Sequence, residues 1–450
     1  MDELFDLPPA EPAAEPEARR GVPRVQRPNR AQLELRTVDL DGLLPPDHRA
    51  RLVWEFVEGL DLGPLYDRIR ATTDGPGRPP IDPAILTALW LYATLENVGS
   101  ARALERLCDA HDAYRWIAGG VSVNHHTLAD FRVDHAGLFD RLLTSSVAAL
   151  AAEGLVTLAR VAQDGVRVRA AAGKHSYRRA ERLEDLERDA AAHVATLRDE
   201  LLADPAAANR RLAAARERAA RERAVRVRAA LAKLPEIAAR KARRTYRGHR
   251  DAPPAASTTD PEARFMKMPD GGVRPAFNVQ LATTTAEQVI VGLEVVAVVD
   301  GDQLGPMADQ LASRYGPVVR EHLADGGYVN LAHIERLASC GTTVYMPAQK
   351  PRRGFPRDPH LPRPRDSAAV AAWRVRMGTP EAKAIYPERA ASAECVNAIA
   401  RNRGLTAFRV RGLGRARAVV LWFALAHNLM RAVALRAARA AAPTRMTGAT

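Results

Sequence analysis

The strongest constraint on the fold is an interruption. Residues 155–173, LVTLARVAQDGVRVRAAAG, hold two short β-rich runs whose valines alternate with other residues around Asp164. β-pattern does not return until about residue 272. Residues 174–250 between them are mostly Ala, Arg, Glu and Leu, and read as two long helices broken near Pro205, with a weaker break near Pro235. This segment is also the basic part of the chain. Residues 210–250 hold 15 Lys/Arg against 3 Asp/Glu, within a total of 66 against 53 and a formal charge of +13. Such an excess favours a polyanionic partner, nucleic acid first. The helical interruption is the expected grip on it, with the Pro/Arg loop at 349–366 a second phosphate contact. Its only tyrosines, Tyr177 and Tyr246, lie at its two ends, so it offers little for base stacking.

The flanking regions divide the chain further. Residues 1–34 are poor in large apolar residues and should be a disordered tail, as should 441–450. Residues 35–153 are helical throughout. Asp82 before Pro83 and Ser100 before ARALERL are N-caps, NHHTLADFRVDH starts a helix near Asn124, and Gly154 stops the last helix. The N-terminus has no apolar signal-peptide core. The run AVVLWFALA at 418–426 is far shorter than the roughly 20 residues of a membrane helix and reads as a buried core helix. Three distant cysteines give no disulfide framework and no zinc knuckle. A cytoplasmic, nucleoid-associated protein with no membrane partner is expected.

Without the interruption, residues 154–173 and 251–440 give the order βββαβαβα: a strand with Asp164, a hairpin, a helix, a strand ending at Asp325, a helix, a strand, a loop, and a helix with Glu394. That is the element order of a ribonuclease-H-like domain, a mixed α+β or α/β sheet with flanking helices. Asp325 follows a strand, where sites in such sheets lie, and Gly326 and Gly327 let backbone pass close. On the helix YPERAASAECVNAIARNRG, Tyr386, Arg389, Glu394 and Arg401 fall within a sector of about 140° with Asn397 between them, while Glu388 faces away. Pro387 either starts this helix or kinks one that begins at Thr379, and Gly404 is its C-cap. Three converging carboxylates repel unless a cation joins them. Two Mg²⁺ ions, with Mn²⁺ as a substitute, would suit phosphodiester cleavage or transfer at Asp164, Asp325 and Glu394. Asp302 after the hairpin is a candidate fourth acid.

The stretches RPPIDPAILTALWLYATLENVGSARALERL, HTLADFR, DGVRVRAAAG, LADGGY and YPERAASAECVNAIARNRGL together resemble bacterial insertion-sequence transposases of the DDE type, in the branch with a helical N-terminal domain and a Tyr–Arg–Glu–Lys signature. The resemblance covers about residues 40–435. It implies Asp164, Asp325 and Glu394 as the catalytic, metal-binding triad, with Tyr386 and Arg389 supporting DNA beside it. The Arg389-to-Glu394 gap is one residue longer than the usual signature, and Arg401 stands where the family has lysine. The implied activity is binding of terminal inverted repeats, strand cleavage to free 3′-OH groups and joining to target DNA, within a homodimeric or higher synaptic complex. In HHTLADFR, a helix-turn-helix reading puts Arg132 or His125 on element-end DNA, and a packing reading turns Leu128 and Phe131 inward. Two alternatives are a transposase-derived DNA-binding protein that no longer cuts, and a ribonuclease-H-like nuclease without strand transfer.

Overall fold

The structure is a computed structural model that describes residues 39–71, 79–203, 210–243, 252–349 and 357–441. The two expected tails, apart from Ala441, the break near Pro205 and part of the 349–366 loop lie outside the described residues.

The N-terminal helices form where their caps predict. α1 (Arg49–Glu58) and the single turn α2 (Gly63–Tyr66) lead to α3 (Pro83–Leu95), where Asp82 accepts from the Ala84 amide at 2.8 Å and Pro83 fills the first position. Ser100 caps α4 (Ala101–Ala110), and α5 (Asp112–Ala118) ends at the left-handed Gly119. Asn124 caps α6 (His125–Asp134), accepting from Thr127 at 2.9 Å. α7 (Ala136–Ala152) stops before Gly154 at φ 69°. α3 is buried on nearly every side, so it is the axis of this layer rather than a surface helix.

β1 (Arg160–Arg169) carries Asp164. The short β2 (Tyr177–Arg178) then opens the interruption and pairs with β3 (Ala256–Ser257) at its close. Between them α8 (Ala180–Ala203) and α9 (Arg210–Ala242) pack as a hairpin through Leu183, Val227, Leu234 and Ile237. α9 runs through Pro235, where a weak break was expected. Proline costs the helix one hydrogen bond, but Leu234 and Ile237 anchor the chain on both sides of it.

The main sheet has six strands. β4 (Arg264–Lys267) and β6 (Ile290–Val296) both pair with the long β5 (Val273–Thr284). β5 pairs antiparallel with β1, β1 parallel with β7 (Glu321–Leu323), and β7 parallel with β8 (Thr343–Tyr345). α10 (Leu304–Tyr315) and α11 (Leu331–Ser339) make the crossovers. α12 (Ala368–Gly378) and α13 (Pro380–Ile385) follow the Pro/Arg loop. A π-turn, Ala390–Glu394, then runs into α14 (Cys395–Asn402). α15 (Leu413–Ala441) ends the described chain. The fold is thus the expected mixed α+β sheet with flanking helices. α15 is long and apolar enough to cross a membrane by composition. Its run Ala418–Ala426 is instead wholly buried against the sheet and the N-terminal helices, as a core helix.

Candidate active site

β1 and β7 lie side by side and parallel, with Ala162 opposite Leu323. Two residues further along each chain stand Asp164 and Asp325, so the register brings both acids to one end of the pair. Asp164 is partly buried. Its Oδ1 accepts from the Gly165 amide and its Oδ2 from Asn397 Nδ2, both at 2.9 Å. Burial pushes its carboxyl above the ordinary range and Asp325 adds to the rise, against the pull of the Gly165 amide, Arg389 and Asn397. Asp325 caps the short turn Gly326–Tyr328, its Oδ1 accepting from the Gly327 amide at 2.7 Å.

Arg389, Glu394 and Tyr386 come from the chain leading into α14. The helix capped at Thr379 ends at Ile385, Tyr386 and Pro387 form a turn, and helix resumes at Glu388, so Pro387 stands in the break between two helical segments rather than at a first helical position. Arg389 Nη2 donates to Glu394 Oε1 at 2.5 Å, and its guanidinium lies 5.6 Å from the Tyr386 ring centre. Burial raises the Tyr386 phenol; the Arg389 charge opposes this, and the Asp325 and Glu394 carboxylates add to it. Glu388 turns away to Arg160, at 2.6 Å. Asp164, Asp325, Glu394, Tyr386 and Arg389 therefore share one electrostatic neighbourhood. Arg401 is exposed two helical turns beyond Glu394, about 10 Å along the axis. Arg132 lies apart, in the helical layer, stacked 4.4 Å over the Trp90 ring and donating to the Gly99 carbonyl at 2.9 Å. His125 is held by Glu105 at 2.8 Å, and Leu128 and Phe131 are buried, so α6 packs inward as one of its two readings required.

A polar layer supports the acids from beneath, and most of it has no signal in the sequence. Gln163 donates to Gln280 at 2.9 Å, Tyr328 donates to the same Gln280 oxygen at 2.6 Å, and His322 pairs with Gln163 at 3.1 Å. Asp300 accepts from Asn278 at 2.8 Å, Gln280 at 2.9 Å and Arg167 at 3.0 Å. Gly165 lies against this group: a Cβ there would stand 2.4 Å from Asp300 Oδ1. The acid packed behind β1 is thus Asp300, whereas Asp302 is exposed and bonded by Asn330 at 3.1 Å. Asp300 closes the run VVAVVD four residues after β6 ends, and an acid closing an apolar run was the available clue.

Among the described residues no three His, Cys, Asp or Glu side chains are grouped closely enough to hold a metal ion. The pair Asp164 and Asp325 suits the one- or two-carboxylate mode of Mg²⁺, while Glu394 is engaged by Arg389. Comparison with family models matches residues 38–134 to a family described as Transposase domain (DUF772). No curated protein and no solved structure matches the chain. Its N-terminal helical part, residues 38–134, is therefore similar to a transposase domain.

Proposed function

We propose that the protein is a DDE transposase, which binds the terminal repeats of its element, cleaves DNA strands there and joins the freed 3′-OH groups to target DNA. One observation carries this reading: Asp164 and Asp325 meet at neighbouring strand ends beside Arg389 and Glu394, in a chain whose N-terminal helical part is similar to a transposase domain. The sheet order β6-β5-β1-β7-β8, three antiparallel strands followed by two parallel ones, supports a ribonuclease-H-like catalytic domain. Asp164 and Asp325 would hold Mg²⁺ or Mn²⁺, with Glu394 the candidate third ligand. The ions would activate the attacking oxygen and stabilise the leaving one. Asn397 fixes the Asp164 carboxylate, and Arg389, braced by Tyr386, faces the scissile phosphate. Arg401 lies further along the same helix for the flanking backbone. Two ends must be held together, so a homodimer or larger complex is part of the proposal.

The second reading is a transposase-derived DNA-binding protein that does not cut. The observation that favours it is the Arg389–Glu394 ion pair, which occupies the third acid. Labelled element ends with the purified protein and Mg²⁺ or Mn²⁺ separate the two. Metal-dependent nicking that disappears in Asp164→Asn, with end binding kept, supports the enzyme. Binding with no nicking in the unaltered protein supports the second reading.

A further inference from the structure

Two cavities meet at Gly99, where the α3–α4 connection faces the loop after α14. The larger, about 500 Å³, is lined by Arg132, Arg169, Arg403 and Arg409 and by no Asp or Glu. The second shares Arg132 and Arg409 and adds Arg102 and His126, again with no acid. Among the described residues none of these five arginines forms an ion pair. Two carboxylates on adjoining segments are engaged by other cations, Glu96 by Arg49 at 2.8 Å and Glu105 by His125 at 2.8 Å, and of the two Glu96 also acts on Arg403, without pairing with it.

The walls are fixed rather than adaptable. Arg132 is clamped between Trp90 and the Gly99 carbonyl, yet its buried Nε has no partner, and neither does the buried Nη1 of Arg403. Burial and the neighbouring Arg409 charge pull the Arg132 guanidinium down to about 10. The floor is pinned where Asn97 and Gly404, at φ 59° and 81°, meet: a Cβ on Gly404 would stand 1.8 Å from Asn97 Oδ1. Cations held together without ion-pair partners are costly, and an anion relieves the cost. Planar guanidinium forks select an oxyanion with several acceptor oxygens, as phosphate has. Arg169 is five residues along β1 from Asp164, about 16 Å, so one phosphate cannot touch both.

We propose that this arginine pocket is a phosphate-binding site that receives a backbone phosphate of duplex DNA away from the one at Asp164. The DNA source rests on the proposed function; phosphate binding itself does not.

The test uses the full chain, inorganic pyrophosphate without metal, and the double variant Arg169→Gln/Arg409→Gln, whose two side chains are exposed and so dispensable for folding. The unaltered protein should gain thermal stability with pyrophosphate. The double variant should melt normally without it and bind it about tenfold more weakly or worse. On duplex DNA the slope of log K against log salt should fall by about one in the variant. Equal pyrophosphate binding by both proteins overturns the pocket. Lost pyrophosphate binding with an unchanged DNA slope overturns the DNA source. Absence of cleavage at element ends leaves the pyrophosphate result standing.

Discussion

Arg389 and Glu394 are joined at 2.5 Å although they stand five residues apart. In a regular α-helix that separation turns two side chains about 140° away from each other. The π-turn Ala390–Glu394 closes the angle, and Gln288 donates to its Ala391 carbonyl at 2.8 Å. Such a turn accommodates one extra residue, and one extra residue is how this chain differs from the Arg-to-Glu spacing of the family it resembles. Deleting Ala390 should convert the turn to α-helix and leave the pair as an i,i+4 contact. Thermal melts should show Tm within about 3 °C of the unaltered protein. A deletion variant that fails to fold would show that the π-turn is required rather than tolerated.

Asp164 should cost stability at neutral pH. Its folded carboxyl holds its proton more tightly than an unfolded Asp does, chiefly because it is buried. The stability linked to it is full below the ordinary Asp pKa, about 4, and is lost as pH rises through the raised folded value. Asp164→Asn should therefore raise Tm by about 1–2 °C at pH 7, with no gain near pH 3. An equal gain at both pH values would rule out the ionised carboxylate as the cause.

Two buried histidines should make the protein acid-labile. Burial lowers both His322 and His427 to about 4. Each is stabilising as a neutral ring above its unfolded pKa of about 6.5, and that stability is lost as pH falls toward 4. His427 hydrogen-bonds the Gln288 carbonyl at 2.8 Å through Nε2, a contact a glutamine amide can also make. Tm measured from pH 7 to pH 4 should drop steeply in the unaltered protein and less steeply in His322→Gln/His427→Gln. Parallel curves would sink the assignment.

Gly165→Ala should separate cutting from binding. The new methyl group would press on Asp300, Gln280 and Asn278, all held in hydrogen bonds, and displace β1 beside Asp164. The cost should be about 1–3 kcal/mol, read from denaturant melts. Cleavage should fall at least tenfold while end binding, measured by gel shift, stays within about twofold, because a shift of about 1 Å at a catalytic group costs far more in rate than in affinity.

Local signals were the legible part of the sequence. The caps at Asp82, Ser100 and Asn124, the turn at Gly404 and the β5–β6 hairpin follow from residue chemistry within a few positions. Asp164 and Asp325 were legible because each is a lone acid at a strand beside glycine. Helix packing was less so: Pro235 signals a break, and it is overridden by packing of Leu234 and Ile237 with residues of a partner helix such as Leu183 and Leu186. The choice between Asp300 and Asp302 turns on how the turn after β6 sets Asp300 against Asn278 and Gln280 of β5, at which the run VVAVVD only hints. The arginine pocket draws on five separated segments, and its defining property, a lining without carboxylates, exists only once they are assembled.

α15 touches both the N-terminal helices and the sheet. Its Trp422 donates to the Arg132 carbonyl at 2.9 Å, on the helical side. On the sheet side Asn428 both donates to and accepts from Ile290, at 2.7 and 2.8 Å, as a neighbouring strand would. Arg417 meets Asp140, which also holds Arg314. A ribosome making this chain must finish residue 441 before either half has its keystone. The N-terminal helices and the sheet are thus poor candidates for separate expression. A fragment stopping before Leu413 should be rescued only by supplying the missing helix in trans.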